Sequence, residues 1–214
     1  LKAAFSYGGQ KPNAASRLIV HRKIKKKFIS ALVEATTNIS IGDPTRLEVF
    51  MGPLIDRKAV ERFGRAREAA MQDGLILTGG EVLSGDIYDY GYYVQPTIVE
   101  GLPDDHWMYK EELFLPFLTV QTYRTLSEAI ELANSTDYGL SAGIFTKDEK
   151  EKTELFSGIK AGLLYANRRE GATNGLFVGV QPLMGWKVST TFTKGIGGEY
   201  FLTEFMKEQI VTER

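Results

Sequence analysis

Short apolar runs of strand length recur along this chain between stretches whose apolar residues repeat every three or four positions, and that alternation most narrows the folds open to it. Leu18-Ile19-Val20 reads as a buried strand. Behind it Ile24, Phe28, Leu32 and Ala35 form a single helical stripe closed by Gly42-Asp43-Pro44. Asp56 is a good N-cap for a second helix through Val60, Phe63 and Ala70, with Gly74 as its stop. Strands are expected at 75–77, 92–99 and 117–120, where β-branched and aromatic residues cluster. Ser127 is expected to cap a helix bearing Ala129, Ile130 and Ala133, and 142–145 to be a strand. Asp148 should open a charged helix to about Phe156, with a further strand at 162–165. A glycine-rich stretch from Gly171 to Gly198 then leads to a short helix at 200–205 and an edge strand, Gln209 to Thr212. Strands joined by helices of this length pair in parallel and are covered on both faces. The pattern therefore predicts an α/β fold: one domain over residues 1–214, a mainly parallel sheet flanked by helices, and a C-terminal edge strand.

With 214 residues, 43% hydrophobic and 25% charged, the chain can bury a sizeable core. Its net charge of -1 calls for neither nucleic acid nor an anionic membrane as partner. No apolar run approaches the roughly 18 residues of a membrane span, and no targeting segment opens the chain, so a cytoplasmic protein is expected. The absence of cysteine excludes disulfides and thiol nucleophiles, and two isolated histidines, His21 and His106, do not suggest a metal site. The chain opens on Leu1 rather than methionine, as a piece of a longer sequence would.

Several stretches carry more specific information. Gly9-Gln10-Lys11-Pro12-Asn13-Ala14-Ala15-Ser16-Arg17 and Glu111-Glu112-Leu113-Phe114-Leu115-Pro116 stand a hundred residues apart. They are followed by Asp137-Tyr138-Gly139, Gly162-Leu163-Leu164-Tyr165-Ala166-Asn167-Arg168, Val178-Gly179-Val180-Gln181-Pro182 and the ending Val211-Thr212-Glu213-Arg214. In order and spacing these resemble the catalytic domain of the aldehyde dehydrogenase superfamily. The nearest branch is the 1-pyrroline-5-carboxylate (glutamate semialdehyde) dehydrogenases, and the resemblance implies an aldehyde dehydrogenase catalytic-domain-like fold. In that branch the first stretch reads Gly-Gln-Lys-Cys-Ser-Ala-Ala-Ser-Arg and the second Glu-Glu-Ile-Phe-Gly-Pro.

The resemblance implies NAD-dependent oxidation of glutamate semialdehyde to glutamate, in which a cysteine thiolate attacks the aldehyde carbon and its backbone N–H helps hold the oxyanion. Pro12 stands at that cysteine and has neither sulfur nor N–H. Loss of one oxyanion donor alone typically lowers the rate on the order of 100-fold or more. A purely structural role for Pro12 would be to start a helix through Ala14 and Ala15. Ser6 and Ser16 lie nearby, but no evident base accompanies them. Glu112 matches the glutamate that accepts the nicotinamide ribose hydroxyls, and Phe114 would lie against the nicotinamide. Leu115 in place of glycine adds bulk beside that position. The substrate carboxylate would be held by Asn13 and by backbone N–H groups of Gly175 and Leu176.

The family's dinucleotide-binding domain, general-base glutamate and oxyanion asparagine all precede the cysteine segment, so this chain lacks them, and NAD binding would need a separate cofactor-domain chain as partner. Gly195-Ile196-Gly197-Gly198 is no substitute, because Tyr200 occupies the sixth position of a would-be G-x-G-x-x-G. The alternatives to a catalytic fragment inactive by itself are a non-catalytic scaffold or relic, self-associating through its C-terminal strand, and a phosphate-binding basic patch at His21-Arg22-Lys23-Ile24-Lys25-Lys26-Lys27. The last is the weakest, because no aromatic residues interleave with those lysines for base stacking.

Overall fold

Asp56 accepts the N–H of Ala59 at 2.8 Å and so starts a helix over Arg57–Asp73, in which Ala59, Phe63, Ala66 and Ala70 recur along one side and are all fully buried. In a computed structural model, which describes residues 1–171, 181–191 and 193–214, that helix covers one face of a four-stranded sheet. The elements in chain order are α1 (Lys2–Phe5), β1 (Arg17–His21), α2 (Lys25–Thr37), α3 (Arg57–Asp73), β2 (Leu75–Thr78), β3 (Thr97–Glu100) and β4 (Phe117–Tyr123). They continue with α4 (Leu126–Asn134), β5 (Tyr138–Gly139), β6 (Ser141–Ile144), α5 (Glu149–Gly158), β7 (Leu163–Ala166) and β8 (Trp186–Lys187).

The sheet order is β1-β4-β3-β2, with β4 parallel to both its neighbours and β2 antiparallel to β3. Successive strand residues point to opposite faces, so Leu118 and Val120 pack with Ile98, Val20 and Ile29 of α2, whereas Phe117 and Val99 pack under α3. Phe63 meets Phe117 edge to face at 6.0 Å between ring centroids. A third cluster lies apart: Leu155, Ile159 and Ala161 pack against Leu126 and Ile130 of α4 and against Ala142 and Ile144 of the separate parallel pair β6–β7. The α/β class with a mostly parallel sheet between helices is as the pattern predicts.

Four local expectations give way to the structure. The run 92–99 is strand only from Thr97, because Pro96 has no N–H to donate; Tyr92 and Val94 form isolated bridges to Leu54 and Val82. Thr125, not Ser127, caps α4: it accepts the N–H of Glu128, whose carboxylate reaches back to the N–H of Arg124. On α2 the buried side is Ile29 and Thr36, while Ile24 and Phe28 remain 54% and 43% exposed. Residues 209–212 form no strand ladder among the described residues, and Ile210 is 94% exposed.

Two outcomes follow from this packing. Ile29→Ala should lower stability by about 2–5 kcal/mol, whereas Ile24→Ala should change it by less than about 0.5 kcal/mol, both read from urea midpoints. Tyr109 is 4% exposed in the α3 cluster, and burial first, then the nearby Asp104 and Glu100 carboxylates, push its phenol pKa up to about 12. Between the ordinary value of 10.0 and about 12 the unfolded chain releases this proton while the folded chain holds it. Stability conferred below that window is thus lost as pH rises through it. Tyr109→Phe should reduce the fall in stability over that range by up to about 1.4 kcal/mol per pH unit, measured by denaturation at stepped alkaline pH.

Candidate functional site

Before β1 the backbone turns through three consecutive left-handed residues, Tyr7, Gly8 and Gly9, with φ values of 56°, 65° and 66°. Gly9 has a second requirement: a Cβ there would stand 2.2 Å from the carbonyl oxygen of Leu115. Gln10 then clamps the segment, its side-chain oxygen accepting the N–H of Ile55 at 2.9 Å. The loop that follows is therefore held against the stretch 111–116.

Within that loop the N–H of Ala14 donates to the carbonyl of Lys11 at 2.9 Å, closing a turn with Pro12 at its first corner and Asn13 at its second. Proline suits the first corner because its ring fixes φ near the required value. Pro12 thus starts a turn, not the helix through Ala14 and Ala15 that its position suggested. The side of this loop opens on a groove of about 730 Å³ whose lining includes Pro12, Asn13, Ser16, Glu112 and Phe114. The two sequence segments, a hundred residues apart, meet here.

Glu112 is exposed at the groove's rim, where partial loss of solvent raises its carboxyl pKa. It also borders a second cavity of about 290 Å³ lined by Arg62, Arg65 and Trp107. Arg62 fixes the rim by donating from Nε to the carbonyl of Leu113 at 2.7 Å. Phe114 is half-buried with φ 54°, and this left-handed residue reverses the chain so that Leu113 and Leu115 both point into the core. Leu115 is only 4% exposed and packs in the same cluster as Leu113 and Phe117. The bulk expected beside the nicotinamide position is thus mostly turned inward. Gly175 and Leu176 lie outside the described residues.

The structure adds one arrangement that spacing did not reveal. Arg17 donates to the carbonyls of Leu132 and Ala133 at 2.9 and 2.7 Å, and Lys187 to those of Asn134 and Thr136 at 3.0 and 2.7 Å. Both cations sit on carbonyls at and just beyond the end of α4, where the helix has no further N–H to offer; that of Leu132 also accepts from Ser135. Burial lowers the Arg17 pKa. Burial also lowers that of Lys187, helped by Arg17 and Lys160 and opposed by Asp137. The only sequence signal was the presence of a cation directly after the small residues 14–16.

Comparison with known proteins agrees with this layout. Residues 1–211 match the aldehyde dehydrogenase family. The 1-pyrroline-5-carboxylate dehydrogenase 1 of Halalkalibacterium halodurans is 33% identical over 213 residues, which is 100% of this chain and 40% of that protein. Among solved structures, a 1-pyrroline-5-carboxylate dehydrogenase from Thermus with bound NAD superposes with a TM-score of 0.86 at 30% identity, over 96% of this chain and 38% of that one. The betaine aldehyde dehydrogenase of Staphylococcus aureus in complex with NAD+ gives 0.88 at 28% identity, over 96% and 39%. The chain thus spans about two-fifths of the length of the relatives it matches. With a family match over residues 1–211 and relatives that cover nearly the whole of it, the chain belongs to the aldehyde dehydrogenase family, close to the 1-pyrroline-5-carboxylate dehydrogenases.

Proposed function

We propose that this chain is the catalytic portion of a 1-pyrroline-5-carboxylate dehydrogenase-like protein, cytoplasmic, in which the aldehyde-oxidising step is lost at Pro12. The observation that carries the reading is the Lys11–Ala14 turn, which sets Pro12 in the same groove as Glu112 and Phe114. In the family's reaction a thiolate at this corner bonds to the aldehyde carbon and its N–H supports the resulting oxyanion. A proline ring supplies neither atom. Asn13, in the same groove, and the backbone of Gly175 and Leu176 are the proposed contacts for a substrate carboxylate.

Both solved relatives described above carry NAD, and the rim here fits one end of it. The Glu112 carboxylate is exposed at the groove and offers two acceptor oxygens for ribose hydroxyls, while Phe114 lines the same groove as the proposed neighbour of a nicotinamide. NAD, when bound, accepts a hydride. The remaining dinucleotide contacts would come from a polypeptide outside this chain, and self-association through residues 209–212 is the proposed homo-oligomeric contact.

The purified chain, alone or mixed with the part of the Halalkalibacterium halodurans relative that it does not match, should produce no NADH from NAD and glutamate semialdehyde, followed by absorbance. Measurable turnover would overturn the proposal. Pro12→Cys creates the chain's sole thiol at an exposed corner of the groove, so it should react with a thiol reagent in the folded state within about tenfold of the unfolded rate. Strong protection of that thiol would remove position 12 from the groove.

A further inference from the structure

The arginines of α3 fall into two kinds. Arg57 pairs with Glu61 and Arg67 with Glu81, each at 3.4 Å. Arg62 and Arg65, three residues apart and so neighbours on one side of the helix, border the cavity of about 290 Å³ together with Trp107, Glu111, Glu112 and Leu113. Among the described residues no ion pair joins either arginine to either glutamate, although all four line the same space. Arg62 spends its Nε–H on the Leu113 carbonyl and keeps its terminal N–H groups, while Arg65 is exposed and unpaired among the described residues. Loss of solvent raises the Glu112 carboxyl pKa, as befits a carboxylate with no cation close enough to offset it. The cavity lies beside the larger groove: Glu111, Glu112 and Leu113 border both, whereas Arg62, Arg65 and Trp107 border only the smaller space. Trp107 is half-buried and held in place, its carbonyl accepting the N–H of Glu111 at 2.9 Å and its ring tilted against His106 at 5.7 Å between centroids.

Two cations and two anions that share one space without pairing suit a ligand that carries both signs. We infer that this cavity binds a free amino acid as its zwitterion, the carboxylate on Arg62 and Arg65, the ammonium on Glu111 and Glu112, and the side chain against Trp107. A guanidinium fork matches a carboxylate in two parallel hydrogen bonds. The ammonium is drawn both to the carboxylates and to the face of an indole. A phosphate would meet two carboxylates and a simple amine two guanidinium groups, so neither complements the whole lining. The volume stands at the lower end of small-molecule sites, roughly 300–1,000 Å³, which suits a ligand as small as one amino acid. The inference is independent of the chemistry assigned to Pro12. Because Glu112 borders both spaces, an occupied cavity withdraws that carboxylate from the ribose hydroxyls proposed for it.

Trp186→Phe leaves Trp107 as the chain's sole tryptophan and thus as the reporter of this cavity. In that variant L-leucine should change the tryptophan emission saturably, with a Kd on the order of 1 mM because exposed charges attract weakly. 4-Methylpentanoate, which lacks the ammonium, and L-leucine methyl ester, which lacks the carboxylate, should each bind about tenfold more weakly or worse. Arg65→Ala should weaken L-leucine about tenfold and leave the ester unchanged. Glu111→Gln should weaken L-leucine similarly and leave 4-methylpentanoate unchanged. Both residues are exposed, so both variants should keep the parent urea midpoint. The inference is overturned if glycine, L-leucine and L-phenylalanine all fail to bind up to about 50 mM by both emission and calorimetry. Binding of L-leucine that survives both substitutions would overturn it as well. So would 4-methylpentanoate or pyrophosphate binding as tightly as L-leucine, which would make the cavity a simple anion site.

Discussion

Residues 117–121 are buried on both faces, and in that setting a backbone N–H or carbonyl has no water to turn to. Strand β4 can exist only between two others, and parallel pairing with both β1 and β3 meets that demand. The rest of the architecture follows from it. Parallel neighbours cannot be joined by tight turns, so the chain must cross over between them, and α2 and α3 cover opposite faces of the sheet. The stretch that enters β4 is the 111–116 loop, and the stretch that enters β1 is the loop carrying Pro12. Because the two strands lie side by side and point the same way, their leading loops meet at one end of the sheet, which is where the groove opens.

Much of this was legible from the residues. Asp56 and Gly74 bracket α3 because capping is a local interaction, decided by a side chain within three residues of the N–H it accepts. Strand 117–120 and the helix opened by Asp148, expected to about Phe156 and observed to Gly158, were visible for similar reasons of run length and capping. What failed depended on distant partners. Ile24 and Phe28 have the spacing of a core stripe, but which side of α2 faces the sheet is set by Ile98, Leu118 and Val20. Tyr92 to Val94 has strand composition, and only its isolated bridges to Leu54 and Val82 show how little of a ladder it finds. Residues 209–212 have strand composition too, and no neighbour among the described residues.

For the site, the contrast is between kinds of residue and their orientation. The family resemblance pointed to Pro12, Asn13, Glu112 and Phe114, and the fold brings all four to one groove. It could not indicate that Phe114 adopts a left-handed backbone and that Leu115 is thereby directed into the core. Nor could it show that Gly9 is required by a carbonyl contact a hundred residues away. Pro12 also has a conformational rationale separate from chemistry. A corner that wants φ near −65° is stiffened by proline, which reduces the freedom of the unfolded chain by about 0.4–1 kcal/mol. The residue that removes the sulfur therefore stabilises the turn that would have presented it.

The pair of cations at the end of α4 bears on the order in which the molecule can be completed. Arg17 has been synthesised long before Leu132 and Ala133, so its two carbonyl partners find it waiting. Lys187 emerges some fifty residues after Asn134 and Thr136, with β6, α5 and β7 in between. On the ribosome, α4 thus has β1, β4 and the Ser135 cap to hold it at first, and the carbonyls of Asn134 and Thr136 receive the Lys187 ammonium only when the C-terminal quarter of the chain has arrived. The separate β6–β7 unit and the segment after it are consequently late additions to a sheet already formed, tied to it by their packing on α4 and by the carbonyls at that helix's end.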